Sequence, residues 1–154
     1  ESHYYHVVTL FVMCYLFLQT FAIPGPLLLS IAAGALFGKV TGMSLVLLTS
    51  TFGASGCYLL SSSLAKYWVF KYFPHRVLQF KHRIDNNKDN LFFYLLFLRI
   101  TPLVPNWLLN LSTPIVGVPY KHFFCATMLG LIPANLMHVS MGSEIAKLER
   151  IGFD

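Results

Sequence analysis

The sequence of 154 residues has few charged side chains, and they are absent from long stretches. Charged residues make up 11% of the chain, less than half of the roughly 25% that is typical of soluble domains. No Asp, Glu, Lys or Arg lies between Lys39 and Lys66, or between Lys121 and Glu144. Each gap is long enough for a helix through the bilayer core, which needs about 20 mostly apolar residues. The chain is therefore predicted to be an integral membrane protein, and its high apolar content excludes intrinsic disorder.

The sequence also lacks the residue patterns of the common enzyme and metal sites. Its three cysteines, Cys14, Cys57 and Cys125, are odd in number and lie among apolar residues, which excludes a disulfide framework. The six histidines form no HExxH motif, and His3 and His6 have no third ligand nearby. We expect no metal site, no cofactor and no catalytic residue, so the protein is not predicted to be an enzyme. Nucleic acid is not an expected partner, because the basic part of the chain is short and close to the predicted membrane segments.

Six apolar segments can be distinguished, and they differ in length. The first covers residues 7–23 and ends at Pro24-Gly25-Pro26, where proline interrupts a helix. Three segments are too short to cross a bilayer: 27–37, 91–100 and 107–118. Eleven helical residues, for example, reach only about 17 Å, roughly half of the hydrocarbon thickness. Two segments are long enough to cross: 41–65 and 122–145.

The order of these segments is repeated in the two halves of the chain. When the sequence is aligned with itself at one constant offset, Pro24 falls on Pro105 and Lys66 falls on Lys147. Each half then contains a break, a half-length segment, a full-length segment and a lysine, in the same order. Short segments interrupted by Pro or Gly at matching places in two halves are typical of transporters with inverted repeats. We therefore predict an all-α integral membrane fold with two oppositely oriented re-entrant helical hairpins, each followed by a full transmembrane helix.

A basic connector, residues 66–90, joins the two halves. Six of its residues are Lys or Arg and only two are Asp, so the positive-inside rule places it in the cytosol. Val77, Phe80 and Ile84 share one helical face, which indicates either a short amphipathic helix on anionic headgroups or an ordinary solvated loop. The candidate membrane-surface residues of this connector are Lys71, Arg76, Lys81 and Arg83.

Arg99 is the only charged residue between Asp89 and Lys121, and it directly precedes the second helix break. An arginine at membrane depth costs about 2.5–3.5 kcal/mol on insertion scales, so it usually faces a cavity or a partner. Its planar guanidinium suits a lipid phosphate. It equally suits backbone carbonyls that Pro102 and Pro105 leave without partners, and the sequence leaves both interpretations open.

The two helix breaks predict a polar cavity between the hairpins, because irregular backbone is tolerated at membrane depth only where protein or water covers it. Asn106 is expected to cap the half-helix that begins at Trp107. The partial positive charge at the N-terminus of each half-helix favours anions. The alternative is a pair of purely architectural kinks. The candidate headgroup or cavity residues are Pro24, Gly25, Arg99, Pro102, Pro105 and Asn106.

Small and hydroxyl-bearing residues are frequent in the third apolar segment and just before it. Gly34, Gly38 and Gly42 have the spacing that lets helix backbones touch, so we predict a packing role for them. Serines and threonines follow between positions 44 and 63. They either form a polar face along which headgroups slide or bond the carbonyl four residues earlier in their own helix.

The stretch FLRITPLVPNW at 97–107, together with FAIPG at 21–25, resembles the VTT domain of the DedA superfamily. The resemblance is to its eukaryotic transmembrane protein 41 branch, to which vacuole membrane protein 1 is related. It covers nearly the whole chain, so we treat 1–154 as a single domain and expect further flanking helices in a longer chain. It implies a multi-pass protein of the endoplasmic reticulum membrane. The implied activity is energy-independent phospholipid scrambling that supports autophagosome formation and lipid mobilisation.

The sequence departs from the family at one position. Bacterial members that resemble this region carry an acidic residue directly after the Pro-Gly pair, where this chain has Pro26. This disfavours the first alternative, an ion- or proton-coupled secondary transporter. A second alternative is a membrane scaffold that recruits lipid-transfer machinery through the basic connector. The expected partners are phospholipids and, for the scaffold, autophagy or lipid-transfer proteins.

Overall fold

The computed structural model describes residues 2–152, which form helices joined by short connections, with no strand among them. Residues 1, 153 and 154 of the predicted domain lie outside the described residues. In chain order the helices are α1 (Ser2–Thr20), α2 (Pro26–Leu60), α3 (Lys66–Tyr72), α4 (Pro74–Asn86), α5 (Leu91–Ile100), α6 (Asn106–Ile115), α7 (Tyr120–Gly130) and α8 (Ile132–Gly152). A π-helical turn, Ser61–Ala65, joins α2 to α3 without a break, and a 3-10 turn, Lys88–Asn90, precedes α5.

Helix α2 is a hairpin that reverses at Gly38. The φ of 78° and ψ of 175° at Gly38 are not helical, and glycine adopts a positive φ at little steric cost. A Cβ placed on Gly42 would lie 2.7 Å from the carbonyl oxygen of Ala33, which is far too close for a straight helix. A short arm, residues 26–37, therefore folds back on a long arm, residues 39–60. These arms match the predicted second and third segments.

The second half repeats this pattern. Helices α5 and α6 are separated by the irregular residues 101–105, and a turn with Gly117 at a φ of 85° leads from α6 into α7. Helices α7 and α8 follow one another with a single interruption at Leu131. Gly38 and Gly117 thus reverse the chain at corresponding places in the two halves.

The long helices of the two halves run in opposite directions. Tyr58, near the end of the long arm, contacts Tyr120 at the start of α7, with ring centroids 5.4 Å apart. Ser50, earlier in the long arm, accepts a hydrogen bond from Asn135 in α8 at 3.2 Å. The long arm of α2 and the α7–α8 stretch are therefore antiparallel, as expected for two halves of inverted orientation.

Glycines allow close backbone contact between the two halves. Gly34 of the short arm lies against the backbone carbonyl of Val139, and Gly142 of α8 lies against the carbonyl of Ile31. The packing predicted for Gly34 and Gly42 is confirmed, because each touches backbone of a neighbouring helix segment. The packing role predicted for Gly38 is wrong, because Gly38 forms the hairpin turn and has open space around it.

The connector is more ordered than an ordinary loop. The continuous helix runs on to Tyr72, beyond the predicted end at residue 65, and α4 is a helix, so the solvated-loop alternative is wrong. Val77 and Ile84 of α4 are buried in a core cluster that includes Leu91 and Phe123. This side of α4 therefore packs on the protein itself, while the basic residues of α4 and Leu78 are exposed.

The exterior and interior have the polarity expected in a membrane. Two helical stretches of the described chain, Pro26–Tyr72 and Tyr120–Gly152, are long and apolar enough to cross a bilayer. Large apolar side chains face outward, for example Val40 at 81% exposure. Thr51 and Ser55 are buried, and each bonds the carbonyl four residues earlier, at 2.8 and 2.9 Å. These hydroxyls are therefore occupied by their own helix and do not form an open sliding surface.

Candidate functional site

One cavity of about 610 Å³ lies between the first helix break and the helix that follows the second break. Pro24, Gly25 and Pro26 line it from the first break, and Asn106 and Trp107 line it from the first turn of α6. Helix α8 supplies the opposite wall. A cavity thus lies between the first break and the start of α6, but the irregular residues 101–105 of the second break are not in its wall.

The cavity lies near the middle of the long helix formed by the long arm, the π-helical turn and α3. Thr20, the last residue of α1, donates a hydrogen bond to the carbonyl of Gly53 at 3.4 Å. A Cβ on Gly53 would meet Gln19, so the two helices touch directly at this level. Gly53 is about halfway between Lys39 and Tyr72, and the first break is therefore far from both ends of this helix.

Two helix N-termini begin at the cavity wall. The short arm starts at Pro26 and α6 starts at Asn106, and both residues line the cavity. The first N–H groups of a helix have no partner inside the helix and carry partial positive charge. The first backbone hydrogen bonds of α6 are those that Leu108 and Leu109 donate to the carbonyl of Pro105. The N–H groups of Asn106 and Trp107 come before these bonds and have no acceptor within the helix. Both helix ends therefore favour groups with acceptor oxygens.

About half of the residues that line the cavity have polar side chains, and the rest of the lining is apolar. Among the described residues in its wall there is no Asp, Glu, Lys or Arg. Tyr15 donates to the hydroxyl of Ser30 at 3.0 Å, and Ser30 donates to the carbonyl of Pro26 at 2.9 Å. The remaining polar lining comes from Gln19, Ser50, Asn106, Asn110, Asn135 and His138.

Arg99 lies behind this wall and is 6% exposed. Its guanidinium donates to the amide oxygen of Asn110 at 2.8 Å and to that of Asn106 at 3.5 Å. The guanidinium carbon is 5.0 Å from the ring centroid of Phe123, a cation–π contact. Gly130 makes room for the arginine, because a Cβ there would lie 2.7 Å from Cβ of Arg99. The described hydrogen bonds of Arg99 thus go to side-chain amides, whereas the sequence suggested a lipid phosphate or freed carbonyls.

The capping role expected for Asn106 is wrong. Pro105 occupies the cap position of α6 without a side-chain hydrogen bond, and Asn106 is the first helical residue. Its amide oxygen is turned toward Arg99. A guanidinium is a strong donor with no acceptor, so it takes the oxygen that a cap would need.

Comparison with known proteins shows the family of the chain. The model of the VTT domain family matches residues 23–144. The chain belongs to the VTT domain family. It is 38% identical over 152 residues to transmembrane protein 41B of Danio rerio and 37% identical to that of Homo sapiens. A transmembrane protein 41 homolog of Dictyostelium discoideum is 39% identical over 149 residues. No solved structure matches the chain.

These matches cover unequal shares of the two chains. They include 97–99% of this chain but 54%, 52% and 45% of the three relatives, so it spans about half the length of the curated relatives it matches. The family, the transmembrane relatives and the two long apolar helices make this VTT domain a membrane protein, as the sequence predicted.

The other predicted site residues of the VTT domain lie in two groups. Pro102 and Pro105 are exposed parts of the second break and do not line the cavity. The four basic connector residues are exposed on α3 and α4, away from the cavity wall: Lys71, Arg76, Lys81 and Arg83.

Sequence reasoning missed most of the polar wall. Asn110 follows Asn106 by one helical turn, a spacing that places both side chains on one face of α6. Asn135 and His138 are related in the same way on α8. These pairs of polar residues in apolar helices were the available signal in the sequence.

Proposed function

We propose that this VTT domain moves phospholipids between the leaflets of a membrane without an energy source and without chemical catalysis. The supporting observation is a cavity between the first helix break and the start of α6, near the middle of a membrane-length helix. About half of its described lining residues are polar, and the lining has no Asp, Glu, Lys or Arg. A lipid headgroup is strongly disfavoured in hydrocarbon because its polar groups lose their hydrogen bonds. A polar passage at this depth lowers that barrier in both directions equally, which is scrambling.

The proposal includes a membrane arrangement. Helix α1 with the short arm forms one re-entrant hairpin, and α5 with α6 forms the other, entering from the opposite side. The inverted long helices support this arrangement, and so does the position of the first break beside Gly53. The basic connector then lies in the cytosol, following the positive-inside rule.

We also propose the cellular setting that the family resemblance implies. The location is the endoplasmic reticulum membrane, and the lipid movement supports autophagosome formation and lipid mobilisation. The partners are phospholipids, with autophagy or lipid-transfer proteins as further candidates. Localisation of the tagged natural-length protein beside an endoplasmic reticulum marker tests the setting, and residence in another membrane contradicts it.

A reconstitution experiment tests the scrambling proposal. The protein in its full natural length is placed in liposomes with a fluorescent phosphatidylcholine, and dithionite is added outside. In empty vesicles only the outer-leaflet dye is bleached, whereas active protein exposes the inner-leaflet dye as well. Bleaching confined to the outer leaflet in protein-containing vesicles overturns the proposal.

Two substitutions on α8 tie the activity to the cavity. Ala134 lines the cavity, whereas Leu136 is 43% exposed on the same helix. Ala134→Trp fills the passage and should slow lipid transfer strongly. Leu136→Trp adds the same ring outside the cavity and should leave the rate unchanged. Equal rates for both variants would show that lipids take another route.

A second candidate function is proton-coupled transport, which one observation favours. His138 is a titratable side chain in the cavity wall, and histidine is the side chain that changes charge most readily near neutral pH. A coupled transporter would show flux that depends on an imposed proton gradient and loses this dependence in His138→Gln. Flux that ignores the gradient leaves passive scrambling as the function.

A further inference from the structure

The orientation of one buried amide in the cavity wall is fixed by its neighbour. Asn110 is 1% exposed, and its side-chain oxygen accepts a hydrogen bond from Arg99 at 2.8 Å. A guanidinium has only donors, so the amide must present its oxygen to Arg99 and its NH₂ group in another direction. Arg99 therefore determines which end of the amide is free.

The free NH₂ group of Asn110 reaches the cavity. Within residues 2–152 its nitrogen has no hydrogen-bond partner, and Asn110 is one of the lining residues. No fully enclosed side-chain nitrogen or oxygen in this part of the chain lacks a partner. The nitrogen is therefore not fully enclosed, and because Asn110 lines the cavity we infer that this nitrogen faces it. Asn106 repeats the arrangement, with its oxygen toward Arg99 and its side chain in the same wall.

The hydrogen-bond donors on the α6 side of the cavity favour a ligand with several acceptor oxygens. Two amide NH₂ groups stand beside the N–H groups that begin α6, and no carboxylate competes for them in the described lining. A phosphodiester has the matching chemistry, since it carries acceptor oxygens and a negative charge. We propose that Asn110, assisted by Asn106, binds the phosphate of the crossing lipid, while Arg99 is a positioning residue that holds both amides with their donors toward the cavity. This inference rests on the proposed scrambling function.

The arrangement explains how a site in a passage can bind and still release. A ligand that moves through must be held firmly enough to enter and weakly enough to leave. A buried guanidinium in direct contact with a phosphate would form a strong charge-assisted pair. Neutral amide donors backed by the buried cation provide a weaker contact, which suits passage.

Asn110→Asp is the decisive variant. The two side chains have nearly the same shape, and the carboxylate keeps a partner in Arg99. The NH₂ donor, however, is replaced by an acceptor oxygen that faces the phosphate. We expect transfer of fluorescent phosphatidylcholine to slow about tenfold or more, because one hydrogen bond to a charged group is lost and a repulsive contact is added. A rate equal to that of an active wild-type protein overturns the inference and leaves scrambling intact. An inactive wild type overturns the proposed function instead.

Three controls keep the result specific. Asn90→Asp makes the same chemical change on the exposed connector and should not alter the rate. Asn106→Asp repeats the test at a less buried position in case Asn110→Asp fails to fold, which thermal unfolding and gel filtration in detergent detect. A fluorescent glucosylceramide, which has no phosphate, should be slowed much less than phosphatidylcholine by Asn110→Asp. Equal slowing of both lipids contradicts phosphate recognition.

The source of the phosphate and the role of Arg99 need separate measurements. Rates in phosphate buffer and in chloride buffer of equal ionic strength should agree if the ligand is a lipid, whereas inhibition by phosphate would show that the site takes the free ion. Arg99→Lys keeps a cation with donors only and should retain lipid transfer. Arg99→Met lets the amides rotate and should lose it. Failure of the lysine to restore transfer contradicts a purely positioning role.

Discussion

The two breaks have the same backbone plan but different side-chain chemistry. Gln19 and Arg99 are each the penultimate residue of the helix before a break, and Ser30 and Asn110 are each the fifth residue of the helix after it. In the first half, the Ser30 hydroxyl accepts from Tyr15 and donates to the carbonyl of Pro26, so its one donor hydrogen is used. In the second half, Asn110 gives only its oxygen to Arg99.

The difference shows that a repeated fold does not need a repeated site. In the first wall the hydroxyls of Tyr15 and Ser30 are bonded within the protein, whereas the side chain of Gln19 has no described hydrogen bond. The second wall contains a buried cation that turns amide donors outward. The two walls therefore differ in the amides that Arg99 orients, and the following predictions test that asymmetry.

The largest effect is expected where the two halves touch. Gly142→Ala places a methyl group against the backbone carbonyl of Ile31, which cannot move without displacing the short arm. We expect the free energy of unfolding to fall by about 3 kcal/mol, the upper range for overpacking. Unfolding by SDS in mixed detergent micelles measures this change.

Gly117→Ala is the matched control for this prediction. Gly117 has no atom within 4 Å of an added Cβ, but its φ is 85°. Only the backbone penalty of about 1–2 kcal/mol applies there. A Gly142→Ala variant that is as stable as this control would contradict the close crossing of the halves.

The next effect separates the two penultimate residues. Arg99→Leu removes the partner of the buried oxygen of Asn110, and we expect a loss of about 1–3 kcal/mol of unfolding free energy. Gln19→Leu keeps the contact with Gly53 and removes no described hydrogen bond, so we expect a change within about 0.5 kcal/mol. Equal losses in thermal or SDS unfolding would show that the halves are energetically equivalent after all.

A smaller effect is expected in the first wall. Tyr15→Phe removes one hydrogen bond to Ser30, which still donates to Pro26. The expected loss is about 1 kcal/mol in the same unfolding measurement. Lipid transfer should be unchanged, because this hydroxyl offers no free donor. If Tyr15→Phe folds normally but transfers lipid slowly, the first wall takes part in lipid transfer and the prediction is wrong.

The helical fold was largely predictable because prolines and charges divide the chain. The segment at 91–100 coincides with α5, and the break at Pro24-Gly25-Pro26 lies where expected. Apolar content and proline act locally, so they can be read without coordinates. The partner of Arg99 could not be predicted in this way. Its long side chain reaches across the second break to Asn110, and no local sequence pattern determines such a contact. The same holds for Val77 and Ile84, whose apolar face has the same sequence pattern whether it meets lipid or protein.

The smallest effect on stability is expected on the connector, outside the comparison of the two walls. Arg76, Lys81 and Arg83 are exposed on α4, while its apolar face packs inside, so reversing their charge should change unfolding by no more than about 0.5 kcal/mol. Attraction to anionic lipids of about 1 kcal/mol per basic residue should be lost, together with capture of lipid-transfer partners if the connector recruits them. Gln79→Glu adds one charge on the same exposed face as a control. Scrambling that falls with the triple reversal, at equal protein insertion, would show that the connector controls the passage itself and does not act only as a docking surface.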